Sequence, residues 1–477
     1  MSTFYSFPEG EPAEEFCRGL ACYAARSLNP GAWERAVSQS PPTYCLGKCY
    51  AGPSSTHLNA TPTIEVRSRH AVVLRHIVKG PVRSLEHYLE LGGMEGIESA
   101  LHMTQAEVID EVKRSGLRGR GGAYFPTGLK WESAHRQGVS EKYVVVNGDE
   151  GDSGAYVDRF LMEWDPYLVL EGAMIAAYAI GARKIYFYIR REYPLAVASV
   201  RRAVRELVEA GYLGQGSKLG TALDVEVHVG RGSYVVGEET AMINAIMGRR
   251  PEPTTRPPYP TERGLFGRPT VVNNVETLAS VPWILENGGD AYAQMGHNRS
   301  RGTKVLSLSS LFNRPGLYEV EFGVTLREVV YDMGGGLKGD RRLRALMVGG
   351  PLSSLIKPEE LDVRLGVEEL RQVGASLGHG NVIAFSDDSP VVDILHEVVH
   401  FAAFESCGKC FPCRLGTSKL DQVFCAAKDR GYLTREEAEE VIRVADTMST
   451  ASLCGHGQAT GQAVMVTLKK FWDEAVR

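Results

Sequence analysis

The feature that most constrains this chain is a run of cysteines near its C-terminal end. The segment ESCGKCFPCRLG spaces Cys407, Cys410 and Cys413 as C-x2-C-x2-C, and Cys454 follows in ASLCGHG. Three thiolates at that spacing can wrap one face of a cubane cluster, and Cys454 is available as the fourth ligand. Soft thiolates select iron–sulfur clusters or zinc. Zinc sites usually arrive as two C-x2-C pairs, so the packed triplet favours a 4Fe–4S cluster, with a four-cysteine zinc site as the alternative. Helical patterns over about 391–404, 415–429, 434–447 and 459–474 flank the cysteines. Cys425, with apolar neighbours in KLDQVFCAAK, reads as a buried small hydrophobe rather than a ligand.

A second group lies at the other end. Cys17 and Cys22 form C-x4-C, and Cys45 and Cys49 form C-x3-C. Four thiolates suit a 2Fe–2S cluster or a zinc ion, and the irregular spacing favours the former. The N-terminal MSTFYSFPEGEPAEEF has no basic region followed by an apolar run, so no secretion signal is expected and the cysteines read as metal or redox sites rather than disulfides. The apolar stretch LVLEGAMIAAYAIGA from Leu168 is too short to cross a bilayer. The expectation is a soluble, cytoplasmic protein without membrane insertion, able to sit peripherally in a larger complex. A formal net charge of -5 gives no broad positive field for nucleic acid.

At 477 residues the chain exceeds what one core supports. The runs KYVVVNG (142–148), KIYFYI (184–189) and DVEVHV (224–229) alternate with helical stretches at about 164–181 and 194–210, an α/β pattern with a largely parallel sheet. From Ile64, IEVRSRHAVVLRHI suggests strands. TQAEVIDEVKRSG carries a capping pattern, Thr104 with Glu107. Segments TKVLSLSS, GLYEVEF, LREVVYDMGG and LRALMVGG predict a small strand-rich α/β unit, to which NVIAF can add a strand. The expected domains are a cysteine segment at 1–65, an α/β domain at 66–300, the small unit at 301–370 and a helical cluster domain at 371–477.

The 52 glycines cluster where backbone must turn tightly or approach a ligand. SGLRGRGGAYFPTGLKW is neither a Walker A loop nor a G-x-G-x-x-G turn. It offers Gly119, Gly121 and Gly122 for close approach, with Arg118, Arg120 and Lys130 for phosphate. NGDEGDSG sets Asn147, Asp149, Glu150 and Asp152 directly after a strand, where α/β proteins gather ligand groups. GEETAMINA adds Glu238 and Glu239 at a helix start, and VVNNVETLA adds Asn273, Asn274 and Thr277. Each loop alone could be an ordinary turn or cap. Beside two cysteine groups they read as the site of an organic redox cofactor.

With these motifs in hand, residues 65–477 resemble the NADH-oxidising flavoprotein subunit of respiratory complex I and the diaphorase subunits of NAD-linked hydrogenases and formate dehydrogenases. The marks are GLRGRGGAYFPTGLKW, NGDEGDSG, GEETA, PTVVNNVET and ESCGKCFPCR with Cys454. The resemblance implies a Rossmann-like FMN- and NADH-binding domain, a β-grasp-like domain and a C-terminal helical bundle with a 4Fe–4S cluster. It implies FMN held by the glycine loop, Asn147, Asp149, Glu150, Gly237, Asn273, Asn274 and Thr277, with Lys130 near the flavin phosphate. Gly151, Asp152, Tyr234, Glu238 and Val272 join that cofactor-binding set. Phe125 resembles the aromatic that stacks near NADH, and Glu239 the carboxylate that contacts it. Arg256 and Tyr259 stand where the family has Lys and Phe, keeping charge and ring. Asp152 is shorter than the usual Glu, and Ser133 takes the place of an aromatic near the adenine.

CRGLAC and CLGKC resemble the thioredoxin-like 2Fe–2S domain fused to some diaphorase subunits, here with only 22 residues between Cys22 and Cys45. That length makes it a trimmed domain or one completed by a partner. The implied activity is hydride transfer between NADH and FMN, then single-electron transfer through the 4Fe–4S cluster to partner subunits. The implied partners are a small thioredoxin-like 2Fe–2S subunit and a larger iron–sulfur or catalytic subunit. The competing readings are a zinc-stabilised interaction module and a ferredoxin-linked flavoprotein that does not use nicotinamide.

Overall fold

The computed structural model describes residues 14–220 and 222–477. Most of the N-terminal stretch read above as lacking a secretion signal lies outside them.

The strands, in chain order, are β1 (Thr63–Val66), β2 (Tyr143–Gly148), β3 (Lys184–Ile189), β4 (Asp224–Val229), β5 (Thr270–Asn274), the two-residue β6 (Gly296–His297) and β7 (Ser300–Arg301), β8 (Thr303–Leu308), β9 (Gly316–Glu321), β10 (Leu343–Val348), β11 (Leu355–Ile356) and β12 (Asn381–Ser386). A four-stranded sheet runs β4-β3-β2-β5, with every pairing parallel. Its central strands are apolar almost throughout because helices cover both faces. The strand periodicity of two divides β2 between two cores. Val144 and Val146 face the largest core, with helices α3 (Val157–Trp164), α4 (Pro166–Ile180) and α5 (Pro194–Glu209), whereas Tyr143 and Val145 join Tyr186, Val235 and Met242 on the other face. Cys407 packs against that second core, so the pleat of β2 already sets which side of the sheet meets the cysteine loop.

The second sheet is six-stranded and mixed, in the order β1-β9-β8-β12-β10-β11. It takes in β1 and β12, which lie before and after the strand-rich stretch in sequence. Only the first three residues of the IEVRSRH region, Ile64, Glu65 and Val66, lie in a strand. The amides of Val72, Val73 and Leu74 are instead spent on the buried Glu319 carboxylate, at 3.0, 2.9 and 2.9 Å, so no ladder forms there. Glu328–Met333, inside the segment LREVVYDMGG, is a π-helical turn rather than a strand.

Four helices close the chain: α8 (Val391–Glu405), α9 (Phe411–Arg430), α10 (Arg435–Ala451) and α11 (Gly455–Lys470). Helix α9 starts four residues earlier than the periodicity suggested, because Pro412 fits its first turn. Cys425 is exposed on α9, contrary to the expectation of a buried thiol. The buried stripe of α9 runs through Leu420, Val423, Phe424 and Ala427, and Cys425 falls outside it. Among the described residues no helix is long and apolar enough to cross a membrane.

Candidate functional site

The glycine loop follows helix α1 (Gln105–Arg114), leads into helix α2 (Thr127–His135) and is pinned at both ends by backbone bonds. Gly119 donates to the Phe125 carbonyl and Thr127 to that of Leu117, each at 2.9 Å. The Arg120 amide donates to Thr277 Oγ1 at 2.8 Å, which ties the loop to the end of β5. Gly121 is needed at this crossing, since a Cβ there would come within 3.1 Å of Asn274 Cβ. Gly122 lies at φ +112°, in the region that favours glycine.

The arginines of the loop are not free for a ligand. Arg118 pairs with Glu368 at 2.9 Å and caps the Tyr124 carbonyl at 2.7 Å. Arg120 is buried, donating to Tyr292 Oη at 2.9 Å and the Arg301 carbonyl at 2.8 Å. Both guanidiniums thus brace the loop against its surroundings, and Lys130, the third basic group named for phosphate, pairs with a carboxylate. Its Nζ sits 3.0 Å from Glu239, whose other oxygen lies 2.9 Å from Arg256. Phe125 and Tyr259 are 52% and 53% exposed, so their ring faces are available for stacking.

The carboxyl end of β2 supplies the next groups. Asn147 donates to the Gly237 carbonyl at 2.9 Å and accepts from the Asp149 amide at 3.1 Å. Asp149 Oδ2 is buried without a hydrogen-bond partner, and burial pushes its carboxyl up to about 8 against the pull of Arg190. Gly151 and Asp149 line one cleft with Tyr44, Arg190 and Tyr234. Asp152 accepts from Tyr234 Oη at 2.7 Å. Glu238 caps helix α6 (Glu239–Ile246), accepting from the amides of Thr240 and Ala241. At the end of β5, the Val272 carbonyl accepts from Lys130 at 3.1 Å and Asn273 accepts from Trp131 at 2.9 Å. Asn274 caps helix α7 (Val275–Ala279) and donates to Asp158 at 2.6 Å.

Glu150 departs from its expected role. Its buried carboxylate accepts from the amides of Asp158 and Arg159, both at 3.0 Å, and from Tyr193 Oη at 3.1 Å, with His379 Nε2 at 3.3 Å. It therefore caps helix α3, and its side chain is saturated by protein. His379 and Asp158, 3.1 Å apart, were missed by sequence reasoning because GHG and VDRF carry no spacing signal.

The chain's residues fit a flavin. The unpartnered Asp149 oxygen, the ammonium of Lys130 and open backbone at Gly119, where a Cβ would meet nothing nearer than 3.7 Å, provide polar groups and space together.

The C-terminal cysteines converge as the spacing implied. Cys407, Cys410, Cys413 and Cys454 line one cavity with Val235, Pro253 and His456. Cys410 is the residue before α9 and Cys454 the residue before α11, so two helix N-termini face the thiols. Burial pushes the Cys413 thiol up to about 12, and the other three cysteines add to the shift. Four thiolates gathered this closely need a multivalent cation.

The N-terminal cysteines are buried together against the loop after β2. Cys45 and Cys49 stand 3.6 Å apart, and the Gly154 amide donates to Cys49 Sγ at 3.2 Å. Cys17 is pulled down to about 6, chiefly by its hydrogen bond from Cys22, with the amides of Gly19, Leu46 and Cys45 assisting.

The two sites share one stretch of backbone. Tyr234 touches Asp152 on the β2 side, and its ring lies 5.7 Å from that of His456, which lines the cysteine cavity.

Comparison with known proteins agrees with this geometry. The chain matches the Nuo51 FMN-binding domain over residues 112–283 and the NADH-ubiquinone oxidoreductase-F iron-sulfur binding region over 393–477. It is 40% identical over 394 residues to the NADP-reducing hydrogenase subunit HndC of Solidesulfovibrio fructosivorans, covering 82% of this chain and 80% of that protein. It is 38% identical over 421 residues to an NADH-quinone oxidoreductase subunit of Aquifex aeolicus, covering 87% of this chain and 96% of that protein. A chain of an NAD+-reducing [NiFe]-hydrogenase in the H2-reduced state superposes with a TM-score of 0.81 at 28% identity, over 99% of this chain and 86% of that one. The chain belongs to the family of NADH dehydrogenase and diaphorase-type flavoprotein subunits, which bind FMN and NAD(H) and carry electrons through a 4Fe–4S cluster.

Proposed function

We propose that FMN is held by the glycine loop, Asn147, Asp149, Gly237 and the Asn273–Thr277 turn, and that NAD(H) enters over the face edged by Phe125, Glu239, Arg256 and Tyr259. Bound there, FMN supplies the exchange of a hydride for two single electrons. The protein's part is orientation and charge. Against the cost of burial, Lys130 and Arg256 flank Glu239 and keep that carboxylate ionised, well placed to accept from a nicotinamide nucleotide's hydroxyls. Phe125 and Tyr259 offer rings, and Ser133, bonded to Thr261 at 2.9 Å, offers none. Cys407, Cys410, Cys413 and Cys454 are the ligands of the 4Fe–4S cluster. The observation that carries this reading is the Tyr234–Glu239 stretch, which borders the β2 ligand groups at one side and the four-cysteine cavity at the other.

The N-terminal cysteines are read as a 2Fe–2S site, with Cys17 and Cys22 on one iron and Cys45 and Cys49 on the other. Support comes from the pairing of the sulfurs and from the amides that point at Cys17 and Cys49. The segment is a trimmed thioredoxin-like unit, and the six-stranded sheet is β-grasp-like. Residues 1–65, 66–300, 301–370 and 371–477 remain our division into domains, with β1 and β12 lent to the sheet of the third. We further propose that the chain works in the cytoplasm beside a small thioredoxin-like 2Fe–2S subunit and a larger iron–sulfur or catalytic subunit; that its relatives are named as subunits of a hydrogenase and of an NADH-quinone oxidoreductase supports a multisubunit setting.

Anaerobic purification tests the reading. The expected protein contains flavin, iron and acid-labile sulfide, and its flavin bleaches rapidly with NADH. Absence of flavin and iron after reconstitution would sink it, and flavin that ignores NADH would favour the ferredoxin-linked alternative. Cys22→Ser and Cys49→Ser should each remove one reduced-state EPR signal while leaving that of the C-terminal cluster.

A further inference from the structure

Helices α8 and α9 carry a cluster that neither cysteine site uses. His396 and His400 stand one turn apart on α8, with stacked rings 5.7 Å between centroids. Asp421 reaches across from α9. Its Oδ1 lies 3.1 Å from His400 Nδ1 and 4.0 Å from His396 Nε2. One donor atom from each of the three residues lies within 4.8 Å of the other two. His396 is buried, while His400 and Asp421 are half-buried, so the cluster is open to solvent on one side.

We propose that His396, His400 and Asp421 bind one divalent cation of the zinc type and clamp α8 to α9. Two histidines four residues apart present both imidazoles to the same side of a helix. Imidazole with one carboxylate is a donor set that zinc takes readily. Tetrahedral zinc, with bonds of about 2.0–2.2 Å, holds its donors roughly 3.3 Å apart. The His400–Asp421 gap already matches, and the His396–Asp421 gap closes with a small side-chain rotation. Three protein ligands leave the fourth position to water.

The surroundings of His396 point the same way. Its other nitrogen, Nδ1, lies 3.4 Å from the Glu397 carboxylate. A carboxylate accepting from Nδ1–H selects the tautomer whose Nε2 lone pair faces Asp421. Lys428 Nζ is also near Nδ1, at 3.5 Å, but pairs with Glu397 at 3.3 Å and so stands beside the nitrogen that the ion does not use. The clamp would join the two helices that lead into and out of the Cys407–Cys413 loop. The bland alternative is an ion-paired cluster with a protonated imidazole and no metal.

The test uses the intact protein with its flavin and iron in place. Wild type, His400→Gln and Asp421→Asn are stripped with a mild chelator, incubated with zinc chloride and desalted, and metals are counted. We expect wild type to keep one more zinc per chain than either variant at equal iron and flavin, and zinc to raise the unfolding temperature of wild type alone. Equal zinc in all three proteins overturns the site, as does wild type that keeps none. Equal iron rules out zinc that has displaced iron at the cysteines, and NADH bleaching at the wild-type rate shows both variants folded.

Discussion

The buried pair of Lys304 and Glu276 gives a sharp test of how the two sheets are joined around the flavin loop. Both side chains are fully buried, and they form a direct ion pair. Lys304 also donates to the Val305 carbonyl at 2.9 Å, and Glu276 accepts from the Val305 amide at 2.9 Å. Lys304 lies on β8 of the six-stranded sheet, and Glu276 lies on α7, one residue before the Thr277 that anchors Arg120. Lys304→Met keeps the volume but leaves a buried carboxylate with no cation, a loss of about 3–5 kcal/mol. Adding Glu276→Gln removes the uncompensated charge, and the introduced amide can still accept from the Val305 amide. Replacing a whole buried pair is often neutral, so the double variant should recover most of the loss. The assay is a urea titration of the four proteins in the cycle, followed by circular dichroism and by flavin fluorescence. Lys304→Met should unfold at lower urea and release flavin with or before the loss of structure. A midpoint unchanged in Lys304→Met, or a double variant no better than the single one, would refute the argument that the pair is shielded from water.

Three further outcomes are expected. Cys410→Ser should lose the C-terminal cluster signal and onward electron transfer yet retain flavin and its bleaching by NADH; onward transfer at the wild-type rate would show that electrons leave by another route. Asp149 keeps its proton up to about pH 8 when folded and loses it near pH 4 when unfolded, so the folded state binds the extra proton between those values. Flavin-free protein should therefore lose stability as pH rises from about 4 to about 8, and Asp149→Asn should make that decline shallower; identical slopes in thermal unfolding would contradict it. Gly172 on α4 faces the Leu278 carbonyl of α7 so closely that an added Cβ would collide with backbone. Gly172→Ala should cost about 1–3 kcal/mol, read as a lower unfolding temperature, and an unchanged value would mean that the helices separate freely.

Local chemistry made much of this molecule legible. The runs at 142–148 and 184–189 became the buried strands β2 and β3 because their apolar composition suits a covered, extended segment, and the alternating DVEVHV became the edge strand β4, which has no buried residue. Thr104 and Glu107 form their reciprocal capping box. The C-x2-C-x2-C run and Cys454 met in one cavity because a helix start lies beside each. Side-chain partners were less legible. Arg120 looked like a phosphate ligand, and only the tertiary structure shows its guanidinium buried and bonded through Nη2 to Tyr292 and Arg301. Glu150 looked like a cofactor contact, and only the position of α3 turns it into a cap.

By itself, then, the sequence determined most element types, the iron–sulfur character of the C-terminal cysteines and the family, since these depend on composition and short spacings. The tertiary structure decided which polar groups remain free. Asp149 keeps an unpartnered oxygen while Glu150, its neighbour, keeps none, and Glu319 draws three amides from residues about 245 positions away. Burial makes each unpaired group costly, so the fold satisfies nearly all of them through contacts distant in sequence. Among the groups left over is the Asp149 oxygen, which stands just past the end of β2.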